Sequence, residues 1–292
     1  MSAPLTSAPA VLTEAAHTLG ADPATAVLVR HHGTQVWHLP RAGAIVRVSG
    51  LRHHQAAERS VALTRWLHTR GVPVTEPLLD RVLIEDTSVA TLWRYYPQPA
   101  GTHPAPADLG STLAALHQAG PPPAEIHLPA AAPLSSLRHT LHHTTTLAPG
   151  VVAELSGRID DLLDAYHELD FPLGVGLIHG DAWLGNILFD GDRPVLGDWD
   201  EAVLGPRVLD LANLWQGHRR FGRTRAEMDA FAAAYGYDLS TWPGLDVLIR
   251  IRDLHTLGSY VRAADRGDQA AQTQLTRRLA TLDDPAASWT SR

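Results

Sequence analysis

Apolar and polar positions change their rhythm near residue 97. Before that point the apolar stretches are short. Those at 27–30, 35–39 and 44–48 read as strands, the last two flanking a turn at Pro40-Arg41-Ala42-Gly43. Residues 54–69 carry Leu63/Leu67 and Ala62/Trp66 at i, i+4 spacing, which predicts an amphipathic helix. Further strands are expected at 82–84 and 90–93. A short helix at 11–19 follows a small-residue, Pro-rich stretch at 1–10, expected to be a frayed tail. The opening third thus predicts a small sheet with one main helix packed on it.

Prolines crowd residues 97–106 and mark a domain boundary. Residues 1–96 form one expected domain, with 90–96 as its hinge strand, and 97–292 the other. Beyond the boundary the period becomes helical. Leu109, Leu113 and Leu116 define a helix stopped near Gly120 by Pro121, Pro122 and Pro123. Helices are predicted at 134–146, 151–169, 208–215, 226–235, 245–262 and 269–282. Between the second and third of these lies LIHGDAWLGNILFDGDRPVLGDWD, residues 177–200. Ile187-Leu188-Phe189 and Val195-Leu196 read as paired strands joined by a turn at Asp190-Gly191-Asp192. The fold class is α+β: a β-rich N-terminal part and a larger, mostly helical C-terminal part with an embedded β-hairpin.

The hairpin puts Asn186 and Asp198 at its two open ends, and Asp181 on the loop that enters it. Phosphoryl transfer to a hydroxyl needs one carboxylate to orient the nucleophile, and an amide and a second carboxylate to hold Mg2+. Asp181, Asn186 and Asp198 supply that set. The plain alternative is a polar turn and a surface hairpin, since Asp and Asn are common turn residues. Apolar strands bracket the polar groups too regularly for a solvent loop.

Composition narrows the field. The 292 residues hold 24 Lys plus Arg against 31 Asp plus Glu, a net charge of -7, with no basic stripe of the kind that binds nucleic acid. A cationic acceptor would suit the acidic balance. There is no cysteine, hence no disulfide framework or thiolate chemistry. No run of about 18 apolar residues predicts a membrane span. MSAPLTSAPA lacks the basic and apolar regions of a signal peptide, so a cytoplasmic protein is expected.

His179-Gly180-Asp181 with Asn186, Gly197-Asp198-Trp199-Asp200, and the run from Gly205-Pro206 to Asp210-Leu211-Ala212 resemble the motifs of the aminoglycoside phosphotransferase and choline kinase-like family. The family's fold is a relative of the protein kinase fold, so the resemblance, over about residues 20 to 270, implies two lobes around a nucleotide cleft. It implies ATP as the default donor, with GTP also open, and Mg2+. It makes Asp181 the residue that orients the acceptor hydroxyl, Asn186 and Asp198 the metal ligands, and His179 a brace for the loop. Asp210 would cap that loop and support His179. His117 would make an inter-helix hydrogen bond.

On the nucleotide side the resemblance assigns Gly33, Thr34 and Gln35 to the loop over the phosphates. Arg47 takes the usual lysine position, with Glu58 as its expected carboxylate partner, and Trp93 and Tyr95 belong to the hinge that reads the base. Asp200, Glu201, Trp215, His218, Arg219, Asp253 and Tyr260 are the candidate acceptor residues. The two carboxylates at 200 and 201 suggest an amine-bearing substrate. The basic residues near Trp215 and the absence of an acidic C-terminal end weigh against an aminoglycoside in particular.

The leading expectation is therefore a small-molecule O-kinase. Its acceptor would be an aminoglycoside or other antibiotic, an amino sugar, an amino alcohol or a hydroxy amino acid, with resistance and biosynthesis both open as its purpose. A protein or peptide kinase and a catalytically silent pseudokinase share the same residues and stay as alternatives. Glycoside hydrolysis would leave Asn186 without a role. Oligomeric state is open.

Overall fold

A computed structural model describes residues 9–32, 34–98 and 100–290. The protein is α+β, with an antiparallel sheet in the N-terminal region and a helical C-terminal region. Its backbone contacts divide it into two compact units, neither continuous in sequence. The first comprises Met1–Pro104, Ala115–Leu128 and Leu184–Ala202; the second comprises Ala105–Ala114, Pro129–Trp183 and Val203–Arg292. The hairpin segment thus groups with the N-terminal sheet.

In the first unit, β1 (Val27–His32), β2 (Thr34–Leu39), β3 (Ala44–Gly50), β4 (Leu83–Glu85) and β5 (Ser88–Arg94) form one sheet in the order β1-β2-β3-β5-β4. The turn before β3 ends on Gly43 at φ 56, a left-handed conformation that glycine adopts without a Cβ clash. Strand alternation sends Val46 and Val48 of β3 to one face. There they pack with Trp37, Leu39 and Leu92 against Val11, Leu12, Ala15 and Ala16 of α1 (Ala10–Thr18). Two helices therefore serve this sheet, where the sequence predicted one main helix. The N-terminal helix starts at Ala10, inside the stretch expected to fray; residues 1–8 lie outside the described part.

The second of these helices, α2 (His54–Thr69), buries Ala57, Ser60, Val61 and Thr64. This is the i, i+3, i+4, i+7 stripe of a packed helix. It packs on β5 and on the turn Trp199–Glu201. The hairpin β7 (Ile187–Asp190) and β8 (Arg193–Leu196) pairs Ile187 with Leu196 and Asp190 with Arg193. It is stitched to its unit by Thr75 N–H to Leu196 O (3.0 Å) and Leu196 N–H to Pro73 O (2.9 Å). The bidentate pair from Arg94 to Asp190, at 2.9 and 2.8 Å, adds a second tie.

In the second unit, α8 (Leu245–Asp265) packs against α4 (Ser135–His143), α5 (Pro149–His167), α6 (Val208–Arg220) and α9 (Gln269–Ala280). It buries residues around most of its circumference, as a central helix must. A helix at Arg225–Tyr235, α7, packs on α6; α3 (Pro106–Gln118) contributes residues to both units. The strand β6 (Val175–Ile178) pairs antiparallel with β9 (Val203–Pro206). The sequence reading contained no β9, because Val-Leu-Gly-Pro is too short to show alternation. No described helix is long and apolar enough to cross a membrane.

Candidate active site

The face of β3 opposite the core presents Ile45 and Arg47, and the register sets them beside Trp93 and Thr91 of β5. Ile45, Arg47 and Trp93, with Tyr95, Asn186, Leu188 and Asp198, line a cavity of about 340 Å3 within the first unit. That is a size suited to a small-molecule ligand. Trp93 is buried and donates its indole N–H to Thr91 Oγ1 (2.8 Å), so it forms a fixed wall. Tyr95 stacks on His38 at 4.0 Å. The hinge N–H groups of Arg94 and Tyr95 donate to Glu76 O (2.9 Å) and Gly43 O (2.8 Å). Those two donors are thus engaged within the protein.

Asn186 and Asp198 are held by the feet of the hairpin. Gly197 N–H donates to Asn186 O (2.8 Å), just beyond the Ile187–Leu196 pair. Asp198 has φ 65 and ψ 67. A left-handed conformation costs a non-glycine residue about 1 kcal/mol or more, and such strain clusters at functional sites. The flanking strand and turn impose it here. An amide oxygen and a carboxylate lining one cavity are hard donors of the kind Mg2+ takes alongside phosphate oxygens. Among the described residues no group of three or more His, Cys, Asp and Glu side chains could hold a metal by itself. Asn186 and Asp198 would thus supply two oxygen ligands to such a metal.

Arg47 corrects one expectation. Its Nη2 donates to Asp198 Oδ1 and to Asp200 Oδ2, both at 2.8 Å. Burial alone would lower its pKa, but the carboxylates of Asp200 and Asp198 outweigh it and hold the pKa above the usual arginine value. Ser60 Oγ also donates to Asp200 (3.3 Å). Glu58, the expected partner, pairs instead with His54 at 3.2 Å, and its side chain is 55% exposed. The buried stripe of α2 explains this: a helix that buries Ala57, Ser60 and Val61 must turn Glu58 outward. Asp200, expected to meet the acceptor, is thus engaged by Arg47, and Glu201 is exposed.

Thr34 lines a small recess with Arg47 and Asp200, and Gln35 accepts from the Trp37 indole N–H (3.0 Å). Gly33 lies outside the described residues.

In the second unit β6 delivers His179, which is fully buried, and then Gly180 at φ 84. The Asp210 carboxylate accepts from His179 N–H (2.7 Å) and Gly180 N–H (2.9 Å). One turn further along α6, Asn213 Nδ2 donates to Ala182 O (2.8 Å). The first turns of α6 thus clamp the loop on both sides of Asp181. Asp210 is among the residues expected from the sequence; Asn213 is not, although its i, i+3 spacing from Asp210 is a visible signal.

Asp181 itself is 43% exposed and pairs with Arg252 Nη2 of α8 at 3.3 Å. Arg252 was not anticipated. Its neighbour Asp253, expected to meet the acceptor, is 1% exposed: Oδ2 accepts from Arg220 Nε (2.9 Å) and Nη2 (2.8 Å), and Oδ1 from Gln216 (2.9 Å). Adjacent helical residues point about 100° apart, so burying Asp253 turns Arg252 toward the loop. Tyr260 is buried too, its hydroxyl accepting from Arg278 (2.9 Å). Asp253 and Tyr260 are therefore packing residues, which corrects their assignment to the acceptor.

The remaining candidates form a separate patch on α6. Trp215 is buried beneath Arg225 (5.6 Å from the ring) with His218 edge-on at 5.9 Å, and Arg219 pairs with Asp246 at 2.6 Å.

A family model described as a phosphotransferase enzyme family matches residues 30–248. Among solved structures, an amicoumacin kinase in complex with AMP-PNP, Ca2+ and Ami is 15% identical with a TM-score of 0.71, over 90% of this chain and 89% of that one. A choline/ethanolamine kinase family protein from Mesorhizobium loti is 17% identical with a TM-score of 0.63, over 94% of each chain. A thermostable mutant of the aminoglycoside phosphotransferase APH(4)-Ia, in ternary complex with ADP and hygromycin B, is 16% identical with a TM-score of 0.64, over 95% and 99%. These likenesses show a shared kinase-like fold.

Proposed function

The chain belongs to the phosphotransferase enzyme family, and from that premise we propose that it moves the γ-phosphoryl group of ATP to a hydroxyl of a small molecule. The observation that carries this reading is Asn186 and Asp198 lining one cavity with Trp93, Tyr95 and Arg47, two hard oxygen donors beside a guanidinium and an aromatic wall. Nucleotides in the amicoumacin kinase and APH(4)-Ia complexes support ATP as the donor.

In this reading Asn186 and Asp198 would hold Mg2+, which would supply positive charge to offset that on the transferring group. Arg47 fixes Asp198 and adds positive charge at the phosphate end of the cavity. Asp181 accepts a hydrogen bond from the acceptor hydroxyl and aims its oxygen at phosphorus. The transition state is loose, so orientation matters more than deep deprotonation, and the proton passes to Asp181 late. Asp210 and Asn213 act by keeping the Asp181 loop rigid.

The test is transfer from labelled ATP to a panel of aminoglycosides, amino sugars, amino alcohols, hydroxy amino acids and one generic peptide, beside Asp181→Asn. Transfer to a small molecule that disappears in the variant supports the reading. Transfer to the peptide alone would replace it with a protein kinase, and nucleotide binding without any transfer would replace it with a pseudokinase.

A further inference from the structure

We infer that Arg252 anchors an oxyanion of the acceptor, so that the compound phosphorylated carries a carboxylate or phosphate group close to its reacting hydroxyl. The inference rests on the phosphotransferase reading above and narrows its substrate class. The acidic residues nominated for a cationic acceptor are largely neutralised within the protein. Asp200 is held by Arg47 and Asp253 by Arg220, each at 2.8 Å. Asp181 faces a third arginine. An acceptor amine would meet a guanidinium beside Asp181.

Arg252 is far less bonded than Arg220. Arg220 donates to Asp253 and to the carbonyls of Asp284, Ala287 and Leu282. Arg252 is 15% exposed and, among the described residues, donates one hydrogen bond, to Asp181 at 3.3 Å. That is longer than the roughly 2.7–2.9 Å usual for charge-assisted bonds. Its Nε is buried with no hydrogen-bond partner. Buried donors are normally satisfied, so a guanidinium with an unsatisfied one has capacity for a further partner. A planar fork with spare donors matches the two oxygens of a carboxylate or phosphate.

An oxyanion that takes the guanidinium would relieve the loose contact from Arg252 to Asp181.

The test reads anion binding directly. Malonate and inorganic phosphate are each titrated into the protein at saturating Mg-AMP-PNP, whose three phosphates occupy the nucleotide's own phosphate positions. The signal is the change in intrinsic tryptophan fluorescence, to which Trp183, 52% exposed and two residues after Asp181, contributes. Saturable binding is expected, weakened tenfold or more in Arg252→Gln and partly restored in Arg252→Lys; the tighter anion names the group. Equal affinity in wild type and Arg252→Gln, or no saturable binding of either anion, would overturn the inference. In parallel, glycerate should be a better acceptor than glycerol, and Arg252→Gln should raise its KM more than it lowers kcat. A preference for ethanolamine over glycerate would count against an anion anchor. Anion binding that survives in a protein unable to bind Mg-ATP would sink the phosphotransferase reading and leave the anion site standing.

Discussion

One nitrogen of Arg47 lies 2.8 Å from a carboxylate oxygen of Asp198, a residue that stands 151 positions later in the chain. The same nitrogen reaches Asp200. Since one nitrogen serves both carboxylates, a point charge can replace the fork. Arg47→Lys should keep Mg-ATP affinity within about threefold, whereas Arg47→Met should weaken it tenfold or more, about 1.4 kcal/mol. Calorimetric titration of the two variants separates these outcomes, and equal losses in both would show that the fork itself is needed.

Glu58 is the contrasting case. Its contact is an exposed i, i+4 pair with His54, of a kind worth only a few tenths of a kcal/mol. Glu58→Gln should leave urea stability within about 0.5 kcal/mol and nucleotide affinity unchanged. A large loss of affinity would restore Glu58 as the partner of Arg47.

The pair between Asp253 and Arg220 is nearly inaccessible to solvent, at 1% and 2% exposure. Arg220 also lies over the ring of Trp289 at 4.4 Å, so it ties α8 to the C-terminal segment. Asp253→Ala leaves a buried, uncompensated cation and should cost about 3–5 kcal/mol in chemical denaturation. A change below about 1 kcal/mol would mean that Asp253 is not the packing residue described.

Asp265 supplies a pH-dependent term. Burial alone would raise its pKa, but hydrogen bonds from Thr146, Thr144 and Thr145 outweigh that and bring it below the usual aspartate value. The unfolded chain therefore binds the proton more readily, and stability rises with pH through this window. The contribution is present above the unfolded value of 3.8 and is lost as pH falls through the lower folded one. The gap between wild type and Asp265→Ala should thus be widest near neutral pH and shrink toward pH 3. A gap independent of pH would show that the charge plays no part.

Local patterns made much of the fold legible. Residues 54–69 show helical spacing and form α2 with those bounds. The apolar runs around Asp190-Gly191-Asp192 form β7 and β8, and Asn186 and Asp198 line one cavity at their feet. What escaped depended on distant neighbours. The sequence leaves Arg47 on the correct face of β3 but cannot tell that Asp200 rather than Glu58 meets it, although the buried stripe through Ala57, Ser60 and Val61 already turned Glu58 away. Choosing Arg252 over Asp253 needs the helical phase of α8, which buries residues nearly all round and so carries little amphipathic signal. Strand β9 exists because β6 and Pro129–Ala131 flank it, and no periodicity of its own announces that.

The most direct test of the account is Mg-dependent ATP binding measured in wild type, Asp181→Asn and Asp198→Asn. If Asn186 and Asp198 hold the metal–nucleotide complex and Asp181 serves only the hydroxyl, Asp181→Asn should bind Mg-ATP within about threefold of wild type, and Asp198→Asn should lose tenfold or more. An Asp198→Asn protein that binds Mg-ATP normally would contradict the central assignment.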